Sequence, residues 1–568
     1  MNSVWVLLIA IAALGAAYLL YGRFLAKKWG IDPKRKTPAY EFGDGVDYVP
    51  ANKGVVMGHQ FASIAGAGPI NGPIQAAIFG WVPVLIWVLV GGIFIGAVHD
   101  FAAMFASVRS KGKSIGYIIE MYIGRFGKHL FMVFCWLFCI LVTAAFGDIV
   151  AQTFNGFKTV MDGAAETVAR VPANGSVAMT SMLFIVEAVV LGMILKKAKL
   201  HKWVNTGIAI VMLIAAIAVG MLLPMFVPLG TWHIVVYVYI FIASVVPVWA
   251  LLQPRDYLNS YLLIAMLAAA VIGVFAARPQ MNLPAFTSFH VNGQPMFPIL
   301  FVTVACGAIS GFHSLVSSGT ASKQIKNERD MLPVSFGSML IESLVAVVAI
   351  IAVASFASGE AAELGYTTPP QIFAGAVSGF LATLGLSQNA VFVLINLAVS
   401  AFALTSLDTV ARIGRLSFQE FFQGFINAPK GGKALSLLTN KYVATVATLV
   451  PAYVLATVGY ENIWPLFGSA NQLLSMLALL ACAVFLRSEG KLFKVLVVPA
   501  FAMMAVTFTA LAMKIHSLLS LLLSGSGSYG DAMQLVFAVL LVGLGVSIAV
   551  QSVRSLARRG SGAGNACP

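Results

Sequence analysis

Charge is what this sequence has least of. Of 568 residues, 10% are Asp, Glu, Lys or Arg, 60% are hydrophobic, and the mean hydropathy is +0.91. That balance excludes a soluble globular chain, whose helices alternate with polar loops. The short alternating segments of a β-barrel are missing too. Cysteine is sparse: Cys135, Cys139, Cys306, Cys482 and Cys567 show neither disulfide nor metal spacing. No phosphate-binding loop is present, since GAGPING at 66–72 is not Gly-x-x-x-x-Gly-Lys-Ser/Thr, so ATP is not the direct energy source within this chain. The nucleophile–base or metal constellation of an intramembrane enzyme is absent as well.

What is present is apolar run after apolar run, many long enough to cross about 30 Å of hydrocarbon. The pattern predicts an all-α polytopic membrane protein with fifteen helices, at about 4–22, 58–78, 82–108, 130–155, 180–197, 203–223, 232–250, 258–276, 297–318, 333–357, 389–411, 441–459, 465–486, 495–513 and 533–553. Basic residues outnumber acidic ones by 35 to 21, for a formal charge of +14. In a soluble protein this would suggest nucleic acid. Here 31 of the 35 basic residues fall in every second loop or the helix ends beside it, against Lys158, Arg170, Arg278 and Lys514 on the other side. By the positive-inside rule, the N-terminus is outside and the C-terminus cytoplasmic. The first helix has no positive charge ahead of it and no small-x-small cleavage site, so it reads as an uncleaved N-out helix rather than a signal peptide.

The longest stretches between spans are 23–57 and 358–388. The inner loops are too short for a signalling domain of the kind a nutrient receptor would carry. The outer stretch holds about 15 residues of possible helix, too few to span and suited to a re-entrant or surface helix. The tail GSGAGNACP reads as disordered.

Residues 58–77, GHQFASIAGAGPINGPIQAA, and 305–320, ACGAISGFHSLVSSGT, place glycine, proline and serine where uninterrupted apolar helix is expected. Proline at 69 and 73 beside glycine predicts a true break. The Gly68/Gly72 pair could otherwise serve close helix packing. The two segments run in opposite directions through the membrane, one in each half of the chain. That is the pattern of an inverted-repeat transporter, in which unwound backbone offers carbonyls to a cation and half-helix N-termini to an anion.

Ionisable residues inside the membrane are costly and point to function. The expected helices hold Asp100, Asp148, Glu187, Glu342 and Asp408, with His59, His99 and His313. The substrate-binding candidates are His59, Gln60, Ser63, Gly66, Gly68, Asn71, His313, Ser314, Ser317 and Ser318. The ion-coupling candidates are Thr405, Ser406, Asp408, Asp100 and Asp148. For Asp408 an ion pair with Arg412, four residues on, is an equal reading; for the serines, bonding back to their own helix; for a lone histidine, a helix-linking role.

DGVDYVPANK at 44–53, GHQFASIAGAGPINGP, GAVHDF, QPRDYL at 253–258, ACGAISGFHSLVSSGT, TSLDTVARIGR and WPLFGSANQLL at 464–474 together resemble the carbon starvation protein A (CstA) family. The resemblance implies a secondary transporter of the bacterial or archaeal inner membrane, taking up peptides or pyruvate during carbon starvation. It also implies the amino acid–polyamine–organocation superfamily, with its leucine-transporter fold of two inverted five-helix repeats. On that reading, 1–57 is an extra helix and loop, 58–223 the first repeat, 224–296 two intervening helices, 297–486 the second repeat, and 487–568 two peripheral helices and a tail. Thr405 and Ser406 then fall where sodium-coupled members of the superfamily carry a Thr/Ser pair. Gln60, His99 and Ser406 depart from the residues common in the family. The expected function is import of a small carboxylate-bearing nutrient by alternating access, coupled to Na+ or H+, with no other cofactor and no nucleic-acid partner. The rivals are a channel or uniporter and a nutrient-sensing receptor.

Overall fold

In hydrocarbon, every backbone N–H and C=O must find a partner within the protein, and for an apolar run of this length the α-helix provides it. The computed structural model describes residues 2–44, 48–162, 165–198, 202–246, 252–426 and 437–557. Among these, nine helices are long and apolar enough to cross a membrane: Ser3–Trp29, Trp81–Arg109, Arg125–Phe154, Pro172–Met193, Glu328–Ala354, Gln388–Gln423, Tyr460–Ser488, Lys494–Leu523 and Tyr529–Ala557. Four are shorter, Thr206–Leu222, Leu229–Val245, Tyr261–Ala277 and Lys441–Ala456. The other two expected segments are interrupted helices.

Burial sorts these helices into centre and rim. The apolar window of Tyr460–Ser488 is 100% buried, that of Gln388–Gln423 89% and that of Arg125–Phe154 83%, against 33% for Ser3–Trp29 and 39% for Tyr529–Ala557. The first and last helices therefore lie at the rim with most of their surface uncovered by the chain, and the 460–488 helix is the axis of the core.

The first interrupted helix is Lys53–Ile64 followed by Gly68–Ala76. The chain leaves helical geometry at Ala65 (φ −77°, ψ 54°). Pro69 opens the second half, Gly68–Ala76, where its missing N–H costs nothing. The second is Met296–Thr303, a single turn Ala305–Ala308, and Phe312–Gly319. Its main break is at Ile309, fully extended at φ −160°, ψ 138°. The 68–76 and 296–303 halves pack closely: a Cβ at Gly72 would lie 2.6 Å from the Thr303 carbonyl oxygen.

Three expectations are corrected. The protein is not wholly helical: Phe157–Asp162 pairs antiparallel with Ala165–Arg170, and His290–Val291 with Gln294–Pro295, because these loops lie outside the runs whose backbone must be closed internally. The first helix runs to Trp29 rather than 22, with Lys27 and Lys28 in its last turn, where cations favour the helix dipole, and Gly30 (φ 72°) terminating it. The helix expected at 389–411 continues as Gln388–Ile426, since no proline occurs before Pro429. In the outer stretch, Pro369–Ala382 forms a 14-residue helix opened by a Thr368/Gln371 capping box. Of the tail, residues 558–568 lie outside the described residues.

The second break fits only because Gly311 has no side chain. A Cβ there would sit 2.4 Å from the Asn471 carbonyl oxygen and 2.5 Å from the Ser475 nitrogen, whereas one at Gly319 would meet nothing within 4 Å. Overpacking of this kind costs about 1–3 kcal/mol. Gly311→Ala is therefore expected to lower the melting temperature of the detergent-purified protein clearly, and Gly319→Ala to leave it within about 1 °C of the native value.

Candidate functional site

A broken helix exposes carbonyls at one end and N–H groups at the other. At the second break, the 460–488 helix supplies the partners. Trp464 donates its indole N–H to the Thr303 carbonyl at 3.1 Å, and the Gln472 amide donates to the Phe301 carbonyl. Asn471 Oδ1 accepts from the Phe312 N–H and from the Ser310 hydroxyl, both at 3.2 Å, and the Asn471 carbonyl accepts from the Gly311 N–H at 3.1 Å. The cap that the 312–319 helix lacks in its own sequence thus comes from a neighbouring helix, out of WPLFGSANQLL. The C-terminal end of 312–319 is tied elsewhere. The Ser107 hydroxyl reaches the Ser318 carbonyl and Ser322, and the Ser318 hydroxyl accepts from the Ile115 N–H while donating to the Ser314 carbonyl.

The capped helix carries His313, which joins a buried chain of ionisable groups. The 81–109 helix passes through a wide turn at Gly92–Gly96 immediately before this point, a feature common at functional sites. It then presents His99 and Asp100. His99 Nδ1 lies 2.8 Å from Asp100 Oδ1, His313 Nδ1 2.9 Å from Asp100 Oδ2, and His313 Nε2 3.3 Å from Glu342 Oε2. All four side chains are at most 1% exposed. Among the described residues no group of three or more His, Cys, Asp or Glu is placed to hold a metal; the four form a line. Beyond His313, Glu342 has no hydrogen-bond partner on either oxygen. A line of alternating acids and imidazoles can take up one proton and pass it along, with burial making its net charge costly.

Beside both breaks lies a small cavity lined by Gly66, Gly68, Cys306, Ser310, Phe312, Ser406 and Asn471, with Phe138, Phe146 and Phe467 among its apolar walls. The space open to the centre of a water-sized sphere is about 20 Å³, room for a water molecule and not for a metabolite. Ser406 closes on the first break: a Cβ at Gly66 would be 2.4 Å from its Oγ. Among the described residues no donor meets the carbonyls of Ala65 and Gly66.

The other sequence candidates divide. Gln60 donates to Ser317 Oγ at 2.8 Å and so joins the two interrupted helices. Ser63 bonds the His59 carbonyl, and Ser314 that of Gly311. His59 is half-buried and stands outside the histidine–carboxylate line. Asn71 is fully buried, and among the described residues neither polar atom of its amide has a partner. Thr405 does not share the first break with Ser406: its hydroxyl donates to the Ala401 carbonyl and accepts from Asn259.

Asp408 pairs with Arg255 of QPRDYL and accepts from the Tyr239 hydroxyl at 2.9 Å. The expected partner Arg412 instead donates to the carbonyls of Ala243 and Val246, and Arg415 to that of Ser244. Both thereby close the C-terminus of the Leu229–Val245 helix, where cations are favoured. Asp148 accepts from His233 at 2.7 Å, from Gln152 at 2.8 Å and from the Tyr460 N–H at 2.6 Å, and so caps the start of the 460–488 helix.

Sequence reading missed His233, Arg255, Asn259, Asn471 and Gln472 as partners. The paired amides at 471–472 inside an apolar helix were the available signal.

The site belongs to a polytopic helical membrane protein with two interrupted helices meeting at a small polar cavity. The family described as carbon starvation protein CstA matches over residues 2–367 and 355–510, and the chain belongs to it. The peptide transporter CstA of Bacillus subtilis is 33% identical over 527 residues, 84% of each chain. That of Escherichia coli is 30% identical over 566 residues, covering 85% of this chain and 77% of that one. The pyruvate/proton symporter BtsT of Escherichia coli is 29% identical over 606 residues, covering 91% and 82%. These relatives place the chain among membrane transporters and not among enzymes. A crystal structure of the Eremococcus coleocola manganese transporter is similar at a TM-score of 0.47 and 11% identity, over 90% of this chain and 98% of that one. A likeness that weak carries no argument about fold or cargo.

Removing one partner of a buried ion pair leaves a bare charge and costs about 3–5 kcal/mol. Asp408→Asn is expected to lower the melting temperature steeply, and Arg255→Gln added to it to restore part of the loss. A double mutant no better than D408N would mean that the two groups are not coupled.

Proposed function

We propose that the protein is a proton-coupled secondary transporter that imports a small carboxylate-bearing nutrient, a peptide or pyruvate, across the cytoplasmic membrane by alternating access. The observation that carries this reading is the buried His99–Asp100–His313–Glu342 line. With Asp100 ionised and one proton shared between His313 and Glu342, the line bears a net charge of −1; one more proton neutralises it. In a low-dielectric site that difference favours the conformation in which the line is loaded and sealed. The proton must bind one conformation better than the other to drive anything. His313 supplies the link, because it belongs to the interrupted helix that would move.

The cargo is read from relatives named as peptide transporters and as a pyruvate/proton symporter, and from a cavity set beside a half-helix N-terminus. The two interrupted helices, one in each half, suit an inverted repeat of five plus five helices over 58–223 and 297–486. The N-terminus would be outside and the C-terminus cytoplasmic, with uptake serving the carbon starvation response.

A second reading has its own observation. The carbonyls of Ala65 and Gly66 meet no donor among the described residues, and with Ser406 Oγ close to Gly66 they offer oxygen ligands of the kind that sodium takes.

Uptake of labelled pyruvate and of a labelled dipeptide into proteoliposomes separates the two. An inward proton gradient is expected to drive accumulation without sodium. Glu342→Gln should abolish that accumulation at least about tenfold while sparing exchange of internal for external substrate, since a site locked neutral can bind cargo without gaining from the gradient. Ser406→Ala should leave the proton-driven rate within about twofold. Accumulation that needs sodium and is lost in S406A would transfer the coupling to the first break.

A further inference from the structure

A second cavity, of about 540 Å³, lies away from both breaks, where ends of the 441–456, 460–488, 494–523 and 529–557 helices meet. That is the size of a site for a small organic group, about 300–1,000 Å³. Val454, Thr457, Val458, Asn462, Leu521 and Asp531 are among its walls. Its charges are of both signs. The Lys514 ammonium donates to the Asn462 carbonyl at 3.1 Å, which sets a cation at the wall. Asp531 Oδ2 accepts from the Ser528 N–H at 2.8 Å and its hydroxyl at 2.7 Å, and Oδ1 has no partner among the described residues. The two charges are near enough to act on each other, yet they form no ion pair. Gly530 also lines the cavity. One turn further along the same helix, Gln534 is fully buried, and among the described residues neither atom of its amide has a partner.

The cavity opens onto an apolar track. Val446, Val450 and Val454 fall four residues apart on one stripe of the 441–456 helix. Val454 lines the cavity, while Val446 and Val450 are 47% and 55% exposed. Leu523 and Tyr529, beside the opposite wall, are exposed too. A polar cavity at helix ends, with an apolar stripe leading along a span, has the shape of a lipid: headgroup at the interface, where tyrosine is favoured, and chain along the helix.

We propose that this cavity binds the headgroup of a phospholipid that carries a primary amine. The phosphate meets Lys514, the ammonium donates to Asp531 Oδ1, and one acyl chain follows Val450 and Val446. A lipid whose only charge is the phosphate would set it against the Asp531 carboxylate, and a trimethylated amine has no N–H to donate. Since Asn462 belongs to the 460–488 helix, the bound lipid joins the axis of the core to the two helices that follow it. The site is separate from the histidine–carboxylate line, so the inference stands or falls independently of the transport reading.

The test is native mass spectrometry of the delipidated full-length protein in mild detergent, with phosphatidylethanolamine, phosphatidylcholine and phosphatidylglycerol of identical chains. The native protein is expected to bind the ethanolamine lipid at least about fivefold more tightly than either of the others. Lys514→Gln, and Thr457→Trp, which fills the cavity from an exposed position, should each weaken it at least about fivefold. Asp531→Asn should lower the ethanolamine lipid to the level of the choline lipid. Lys494→Gln, at the other end of the same helix, should change nothing. The ethanolamine lipid should also raise the melting temperature of the native protein and not that of T457W. The proposal is overturned if the three lipids bind within about twofold of one another, if K514Q or T457W keeps native binding, or if K494Q loses as much as K514Q. Displacement of the lipid by equimolar phosphoethanolamine or glycylglycine would also overturn it, making this a site for a soluble zwitterion.

Discussion

A helix interrupted inside a bilayer must have its freed backbone groups met by protein, and the rest of this structure follows from how that is done. Each group left bare in hydrocarbon costs several kcal/mol. The second break is answered almost entirely by the 460–488 helix, through Trp464, Asn471 and Gln472. That is why this helix is the most deeply buried of the membrane spans and why Gly311 lies against its backbone. The helix is itself anchored at its start by Asp148, with His233 and Gln152 holding the carboxylate in place. An acid that looked like a coupling site in the sequence has a complete structural occupation.

The two breaks are not equivalent. The second is held by side chains of a neighbouring helix. At the first, no donor among the described residues meets the carbonyls of Ala65 and Gly66, and the Ser406 hydroxyl closes on Gly66. Gln60 ties the 53–64 and 312–319 helices together through Ser317, and Ser107 ties the latter to the 81–109 helix. Two of the elements that carry the histidine–carboxylate line, the 81–109 and 312–319 helices, are therefore also tied to each other through Ser107.

Much of this was legible in the sequence. Apolar length gave the helices, a Gly-Pro cluster gave the first break and a Gly-Ser cluster the second, because these residues act locally. His313 and Asp100 could be singled out because a polar group in hydrocarbon is conspicuous. Their meeting could not, since the contact joins residues 213 apart in sequence. Local spacing misled in two places. Arg412 lies one turn from Asp408, yet it turns to the carbonyls at the end of the 229–245 helix, while Arg255, 153 positions away, takes the carboxylate. Thr405 and Ser406 are adjacent, and for that reason point to different faces of one helix, so Asn259 claims the first and the break meets the second. The amides at 471 and 472 were visible as polar residues, but nothing local said which broken end they would cap.

The most direct test of a proton travelling with the cargo is the pH inside sealed vesicles containing the purified protein and a trapped pH-sensitive dye, with sodium equal on both sides. Adding labelled pyruvate or dipeptide outside should acidify the interior in step with entry of the label. Entry of label with no acidification, made dependent on a sodium gradient, would contradict the assignment of coupling to the His99–Asp100–His313–Glu342 line.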